Sequence, residues 1–377
     1  MKKIGILTYH RAINYGAFLQ CYSLTTYIQG LFPEYKVEVI DFETRDEYVI
    51  RIKQLLKSKS ISELFQRIKM RIRFKEDRKK YLPLSSKRCV SNIPGKLSEV
   101  FSNDYDAIIV GSDAVWHRVN YNFFLKGLKC KKFSYAASTS GLSTEKLGEL
   151  ERKELQNLLT DFLFIGVREE KSERFIASLD IPQGAFHTCD PTCFLDVDRL
   201  KVDFTDKFKR YRIEREKPIV CLMTANEIVG KVVWENFHST HQIVSIYASN
   251  KYADIMLWDL SPMEFATFFS HVDILFSYFF HGCYLCMKNG TPAIAVDEDS
   301  ETDGNRTKIK YLFDRLGISD RYFRPKEMNK KQFQDMVEKA KELIGTNQRK
   351  FILDKLAEES ESRIAFTESI CNSLNAG

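Results

Sequence analysis

Long apolar runs are missing from this chain of 377 residues, and none approaches the roughly 18 residues that a membrane-spanning helix requires. The opening MKKIGILTYH enters a strand-like run directly, without the longer apolar stretch and small residues of a secretory signal. The nine cysteines are odd in number and scattered, mostly within apolar runs, which is unlike a disulfide framework. We therefore expect a cytoplasmic protein.

Repeats, low-complexity tracts and a G-x-G-x-x-G fingerprint are also absent from the sequence, and the last absence argues against a standard dinucleotide site. What is present, 44% hydrophobic and 29% charged residues, is typical of a folded globular protein. A chain of this length exceeds one typical core, so two domains are expected.

Short apolar runs rich in Ile, Val and Phe alternate with longer helical patterns along the chain. These runs predict strands at 4–9, 36–42, 106–113, 132–138, 162–168, 218–224, 241–247, 272–278 and 292–296. Most are apolar at nearly every position, as expected of strands buried on both faces of a parallel sheet. The predicted fold class is α/β, with two Rossmann-like doubly wound domains facing a cleft.

The domain boundaries are predicted from a charged segment that interrupts the alternation of strands and helices. An N-terminal domain is expected at 1–200, with a basic helical excursion at 46–80. The segment 201–216 is charged and lacks a clear buried face, so we interpret it as a linker. A second domain is expected at 217–350, and a C-terminal helix at 351–377 is a candidate to pack back on the first domain.

Ligands of doubly wound sheets bind beyond the carboxyl ends of the strands, so functional side chains are expected at strand-to-helix junctions. The first junction, TYHRAINYGAFLQ, carries Asn14, Tyr15 and Gly16 where a helix begins. A glycine lets the backbone approach a ligand, and a helix N-terminus favours an anion. A plain tight turn explains the same residues equally well.

The second junction, VGSDAVWH, follows a buried strand with Ser112 and Asp113. Asp113 suits a helix N-cap, but its carboxylate could equally accept a proton from a substrate hydroxyl. Trp116 offers an apolar face to a sugar ring, with a place in the core as the alternative.

Two further junctions carry cations suited to an anionic ligand. Arg168 opens a helix after a buried strand, where a positive charge opposes the helix dipole unless it reaches an anion. Arg306 and Lys308 stand at another predicted helix start, with a solvated surface as the alternative. Asp190, which precedes Pro191, is interpreted as a turn residue.

The stretch FFHGCYLCMKNGTP allows three interpretations: a metal site, a cysteine nucleophile or a catalytic histidine. A zinc site needs further ligands, and downstream the sequence offers only Cys371. Cys283 and Cys286 lie one helical turn apart among apolar residues, with no charged activator, so we interpret them as core residues. His281 remains, at a junction where a histidine can exchange protons near neutral pH, and Gly282 gives it backbone clearance.

The positive charge of the chain is concentrated in one segment. Residues 51–80 carry twelve Lys and Arg against three Asp and Glu, whereas the formal net charge of the whole chain is only +6. A basic amphipathic helix of this kind can lie on an anionic membrane surface. The alternative is a helical excursion that packs on the first domain and leaves a solvated basic face. Nucleic acid is a poorer interpretation, because no recognition module accompanies the charge.

Taken in order, the junction motifs resemble the polysaccharide pyruvyl transferase family. The motifs are NYGAFLQ, DAIIVGSDAVW, SYAAS, VREE, DPT, SPMEF, HG followed by NGTP, and NRTKIKYLFDRLGISDR. The resemblance implies a two-domain fold similar to B-type glycosyltransferases and transfer of pyruvate from phosphoenolpyruvate onto two sugar hydroxyls, in capsule or exopolysaccharide synthesis. Phosphoenolpyruvate is then the donor substrate, and neither a cofactor nor a metal is expected.

The resemblance also implies roles for individual residues. It carries the family's catalytic histidine to His281, as general acid, and a donor-binding arginine to Arg168. Asp113 is the candidate base. The chain departs from the family at Phe279, where many relatives have an arginine, and Arg306 is a candidate replacement for that charge.

The acceptor is expected to be a lipid-linked or nucleotide-linked oligosaccharide, with an undecaprenyl carrier as a candidate. Two alternatives stay open: a nucleotide-sugar-dependent glycosyltransferase of the same architecture, and a non-catalytic sugar-binding subunit.

Overall fold

The computed structural model describes residues 1–56, 60–298, 307–346 and 349–375, and the chain divides into two compact units. The first unit comprises Met1–Leu195 together with Ser360–Gly377, and the second comprises Asp196–Glu359. Each unit is built around one parallel sheet.

The first unit contains a seven-stranded sheet in the order β3-β2-β1-β4-β5-β6-β7. Its strands are β1 (Lys3–Leu7), β2 (Lys36–Glu43), β3 (Leu84–Val90), β4 (Ala107–Val110), β5 (Lys131–Ala137), β6 (Phe162–Val167) and β7 (Phe186–His187). All neighbouring strands run parallel, and the order reverses between β1 and β4. That reversal is a topological switch point, where the loops leave the carboxyl edge in opposite directions and open a crevice.

The second unit repeats this topology in a six-stranded parallel sheet of order β10-β9-β8-β11-β12-β13. Its strands are β8 (Ile219–Met223), β9 (Gln242–Ile246), β10 (Ile255–Leu257), β11 (Ile274–Ser277), β12 (Ala293–Val296) and β13 (Tyr322–Phe323). The switch point of this sheet lies between β8 and β11.

Helices cover both sheets. Those preceding β8 are α1 (Tyr15–Leu31), α2 (Arg45–Leu56), α3 (Ile61–Tyr81), α4 (Lys96–Phe101), α5 (Glu149–Thr160), α6 (Glu170–Ala177) and α7 (Thr205–Tyr211). Those following it are α8 (Glu227–Phe237), α9 (Pro262–Phe268), α10 (Phe280–Lys288), α11 (Lys308–Arg315), α12 (Lys330–Leu343), α13 (Arg349–Ser360) and α14 (Ile364–Asn375). Within the described residues, no helix combines the length and hydropathy needed to cross a bilayer.

The last helix, α14, returns to the first unit and covers the sheet over β5 and β6. Its Phe366 ring lies 4.8 Å from Tyr135 and 5.6 Å from Phe164, centroid to centroid. Phe366, Ile370 and Leu374 are buried one helical turn apart, and each contributes about 1.5–3 kcal/mol by leaving water.

The prediction of an α/β chain with two Rossmann-like domains is confirmed. Each of the nine predicted strands corresponds to a strand of the structure. Four strands were not predicted, and the physical reason is their position: β3 is a largely polar edge strand, and β7, β10 and β13 have only two or three residues.

The segment 201–216, predicted to be a linker, differs from that expectation because it contains α7 and belongs to the second unit. Polar contacts anchor this helix. Lys207 Nζ donates a hydrogen bond of 2.7 Å to the Asp259 carbonyl oxygen, and the Tyr211 hydroxyl donates one of 2.8 Å to the Asp259 carboxylate. Apolar periodicity did not reveal this helix, because it is short and its anchoring contacts with Asp259 are polar.

Candidate active site

The chain leaves β4 of the first unit through a turn that requires glycine. Gly111 has φ +120, and a Cβ there would lie 2.1 Å from the Tyr135 carbonyl oxygen on the neighbouring strand. The turn holds the Asp113 backbone, whose carbonyl oxygen accepts a hydrogen bond of 3.0 Å from the Ser138 amide. The Asp113 side chain is 24% exposed, and one of its oxygens accepts a hydrogen bond from the Ala114 amide. A carboxylate is therefore held at the switch point of the sheet.

Replacing Gly111 with alanine is expected to destabilise the first unit more than the same change at Gly141. Gly141 has a similar φ of +115, but a Cβ there would meet nothing within 4 Å. The Gly141→Ala variant should therefore show only the backbone strain, about 1–3 kcal/mol. Overlap with the Tyr135 carbonyl should add about 1–3 kcal/mol in Gly111→Ala. Denaturant unfolding of both variants measures the difference, and equal losses would contradict the close approach.

Arg168, which follows β6, lies between two carboxylates. Its Nη1 donates a hydrogen bond of 2.9 Å to Asp190 Oδ2, and its Nη2 lies 3.9 Å from Asp113 Oδ1. Burial alone would lower the pKa of Arg168, but the charges of Asp190, Glu169 and Asp113 raise it above the usual value. The guanidinium is therefore charged, 9% exposed and already balanced by acidic partners.

Asp190 is more than the turn residue that the sequence indicated. Its Oδ1 accepts hydrogen bonds from the Thr192 amide and hydroxyl, which is the predicted turn contact. Its Oδ2 accepts from Arg168 and also from Gln20 Nε2 of α1. Asp190 thus connects the loop after β7 with the guanidinium that approaches Asp113.

The predicted residues at the start of α1 have structural roles. The Asn14 side chain accepts a hydrogen bond of 3.2 Å from the Ala17 amide and caps the helix. Tyr15 is buried with its ring 5.1 Å from Phe74, and Gly16 is buried in the first helical turn. Contact of these residues with a ligand stays a prediction.

Ser112 and Trp116 are fully buried. The Ser112 carbonyl oxygen accepts a hydrogen bond from Thr8, and its hydroxyl has no hydrogen-bond partner among the residues that the structure describes. The Trp116 ring stacks on Phe124 at 5.4 Å, and its Nε1 donates to the Phe123 carbonyl oxygen. The prediction that Trp116 faces a sugar ring is wrong, and the core alternative holds, because the indole is fully buried with a stacked partner and a bonded Nε1.

A second ionic cluster in the first unit was not predicted. Asp41, near the end of β2, accepts hydrogen bonds from Arg11 Nε at 2.6 Å and lies 3.2 Å from His10 Nε2. Burial alone would raise the pKa of Asp41, but the contacts with His10 and Arg11 lower it well below its usual range. One sequence feature could have indicated this cluster: Asp41 is a carboxylate within the apolar run KVEVIDF. The strand that this run forms pairs with β1, which His10 and Arg11 follow.

In the second unit, His281 lies in the first turn of α10, directly after β11. The turn is tied by a hydrogen bond of 2.9 Å from the Phe279 amide to the Ser277 hydroxyl. A Cβ at Gly282 would lie 2.5 Å from Met223 Sδ, so glycine allows this end of α10 to pack closely on β8. The half-buried His281 side chain therefore stands at the switch point of the second sheet.

Phe279 has an aromatic environment. Its ring centroid lies 4.8 Å from Tyr247, edge to face, and 3.9 Å from Tyr278. An aromatic group of three rings therefore stands two residues before His281, at the position where the family resemblance led us to expect an arginine.

The carboxyl edge of the second sheet also carries an acidic residue, Asp297, which follows β12. Asp297 accepts a hydrogen bond of 2.8 Å from the Tyr322 hydroxyl and one from Thr307, which caps α11. Lys308 is the first residue of α11 and is exposed. Arg306 lies outside the described residues, so its predicted role stays a prediction.

The two cysteines beside His281 are core residues. Cys283 and Cys286 are fully buried, and burial raises the pKa of Cys283 to about 12 and that of Cys286 well above its usual value. Neither thiol is available as a thiolate near neutral pH. Among the described residues, no group of three or more His, Cys, Asp and Glu is arranged to hold a metal ion.

The two parallel sheets with their covering helices are similar in fold to B-type glycosyltransferases and UDP-GlcNAc 2-epimerases. The UDP-GlcNAc 2-epimerase from Neisseria meningitidis, solved with UDP-GlcNAc, aligns with a TM-score of 0.58 at 14% identity, covering 99% of this chain and 100% of its own. The sucrose-phosphate synthase from Thermosynechococcus elongatus aligns with a TM-score of 0.52 at 11% identity, covering all of both chains. At these identities the likeness concerns the fold.

The family of the chain is established by a match to a sequence model of that family. A family model described as polysaccharide pyruvyl transferase matches residues 14–300, and the chain belongs to that family. A comparison with curated proteins finds no match.

Proposed function

We propose that this protein transfers the pyruvyl unit of phosphoenolpyruvate onto two hydroxyls of a sugar, forming a cyclic ketal and releasing phosphate. The observation that carries the proposal is the family match over residues 14–300, which includes the His281 junction. The proposed acceptor is a lipid-linked or nucleotide-linked oligosaccharide of capsule or exopolysaccharide synthesis.

The reaction needs proton transfer at two places. Protonation of the methylene carbon of phosphoenolpyruvate makes a methyl group and an oxocarbenium-like carbon, which the two acceptor hydroxyls attack in turn as phosphate leaves. The acceptor loses two protons: one balances the methyl group and the other leaves on phosphate. A general acid and a general base positioned for these transfers typically contribute about 10²–10⁴-fold each.

We assign the general acid to His281 and the base to Asp113. His281 is half-buried in the first turn of α10, and histidine is the side chain that most often acts as a general acid. Asp113 is partly exposed and lies 3.9 Å from the Arg168 guanidinium, and a carboxylate at this position suits a proton acceptor.

Donor binding requires cations for a carboxylate and a phosphate. Arg168, Arg306 and Lys308 are the proposed contacts. Since Arg168 already has acidic partners, we propose that it contributes to the field around the donor as much as by a direct contact. No cofactor or metal enters this scheme.

Incubation of the purified protein with phosphoenolpyruvate and candidate acceptor sugars, with phosphate measured, tests the proposal. We expect phosphate release that depends on the acceptor, and a ketal product of the mass of the acceptor plus pyruvate less water. The Asp113→Asn variant should lower this rate by about 10²-fold or more.

Other results would contradict the proposal. Release of UDP from a sugar nucleotide, without phosphate from phosphoenolpyruvate, would indicate a glycosyltransferase. Sugar binding without turnover of either donor would indicate a non-catalytic subunit.

A further inference from the structure

The helix α3 carries its apolar side chains on the outside of the first unit. Ile61, Leu64, Phe65, Ile68 and Ile72 are exposed, Ile61 by 75% and Phe65 by 67%. Their spacing of three, four, seven and eleven residues from Ile61 places all five on one face of the helix. We call these five residues the apolar stripe. A surface helix normally turns such a face toward the core, so this one is inverted.

The opposite side of α3 is attached to the first unit largely through polar groups. Phe74 is its buried apolar anchor, and the buried Arg78 donates a hydrogen bond to the His10 carbonyl oxygen. Arg67 donates to the Gln54 carbonyl oxygen of α2 at 2.7 Å. The apolar stripe is thus not needed to hold the helix in place.

The neighbouring helix α2 shows the same inversion. Arg51 makes a two-pronged contact with Glu43 of β2, both hydrogen bonds measuring 2.9 Å. Meanwhile Tyr48, Val49 and Ile52 are exposed. Both helices of this pair therefore direct polar groups inward and apolar groups outward.

Charge decides what kind of partner the apolar stripe fits. Ile61–Tyr81 contains eight Lys and Arg against three Asp and Glu, and exposed lysines stand on or beside the stripe. These lysines are Lys69, Lys75, Lys79 and Lys80. Two copies of this surface would repel each other, which disfavours self-association. A partner with negative charge above an apolar layer matches both features, and an anionic bilayer surface has that composition.

We propose that α2 and α3 dock on the surface of an anionic lipid bilayer, with α3 lying in the plane of the interface. The apolar stripe enters the boundary between headgroups and acyl chains, and the lysines contact the lipid phosphates. This inference does not rest on the proposed reaction, although it would bring the enzyme to a lipid-linked acceptor.

Vesicle flotation with the full chain tests the proposal. The probes are phosphatidylcholine vesicles with and without about 30% phosphatidylglycerol. We expect binding at least about tenfold stronger to the anionic vesicles, and clear weakening when salt is raised from about 0.1 to 0.5 M. No binding to anionic vesicles would overturn the proposal.

Matched variants separate insertion from charge. The single variant Phe65→Ser should weaken binding to anionic vesicles by about tenfold or more. The double variant that combines Lys75→Glu with Lys79→Glu should weaken it by a similar factor. The controls are Leu150→Ser, at an apolar side chain that is 84% exposed on α5, and Lys153→Glu on the same helix; both should bind as the wild type does.

Two readouts keep the result unambiguous. Thermal unfolding should be unchanged in all variants because the altered side chains are exposed, and turnover with a soluble acceptor should be unchanged in Phe65→Ser. Undiminished vesicle binding by Phe65→Ser would overturn the proposal. The proposal would also be overturned if the wild-type protein bound no vesicles but formed a dimer that the Phe65→Ser substitution dissociates. That result would indicate self-association through the apolar stripe.

Discussion

Replacing His281 with alanine is expected to lower acceptor-dependent phosphate release by about 10²–10⁴-fold, because the variant lacks the proposed general acid. The measurement is the steady-state rate with phosphoenolpyruvate and an active acceptor. Stability should change little, since the side chain is only half-buried.

His238→Ala is the matched control for this variant. His238 belongs to the same unit, follows α8 at its C-terminal end, and stacks on Trp234 at 4.0 Å away from the switch point. We expect it to keep the wild-type rate. If His281→Ala retains more than about a tenth of that rate, His281 is not the general acid.

Replacing Arg168 with methionine is expected to destabilise the first unit by about 3–5 kcal/mol, the usual cost of leaving a buried charge without its partner. The Asp190 side chain is 2% exposed and would keep its charge with no compensating guanidinium. Denaturant unfolding measures the loss. Adding Asp190→Asn to this variant should recover part of it, because the uncompensated charge is then removed.

Arg174→Met is the control, since Arg174 pairs with Glu170 on the exposed face of α6 and both side chains are 56% exposed. Exposed pairs of this kind contribute at most about 1 kcal/mol. If Arg168→Met lost no more stability than Arg174→Met does, Arg168 would not be a structural counterion of Asp190. Its guanidinium would then be better explained as a ligand contact alone.

These two residues illustrate how far the sequence could predict the site. The sequence correctly placed His281 and Arg168 after strands, because polar side chains that directly follow apolar strands reach the carboxyl edge of a parallel sheet. The acidic partner of Arg168 lies 22 residues further along the chain, beyond any local pattern. The pairing of His10 and Arg11 with Asp41 was missed for the same reason, since β1 and β2 are neighbours only in the folded sheet.

Trp116 shows a different limit. A tryptophan three residues after Asp113 suits either a sugar-binding surface or a core position, and its sequence context is the same in both cases. The stacking on Phe124 decides the matter, because it depends on the path of the loop between Trp116 and β5.

The sequence by itself determined the class of fold, the family and the junctions where chemistry is expected. Those properties follow from local periodicity and motif order, which the chain carries without reference to distant contacts. Only the tertiary structure decided which charges are neutralised, which aromatic rings are buried, and which face of α3 meets solvent. These properties depend on contacts between residues that are far apart in the chain, such as Arg168 with Asp190 and Arg78 with His10. The free energy of such contacts depends on burial, which removes water from the polar groups.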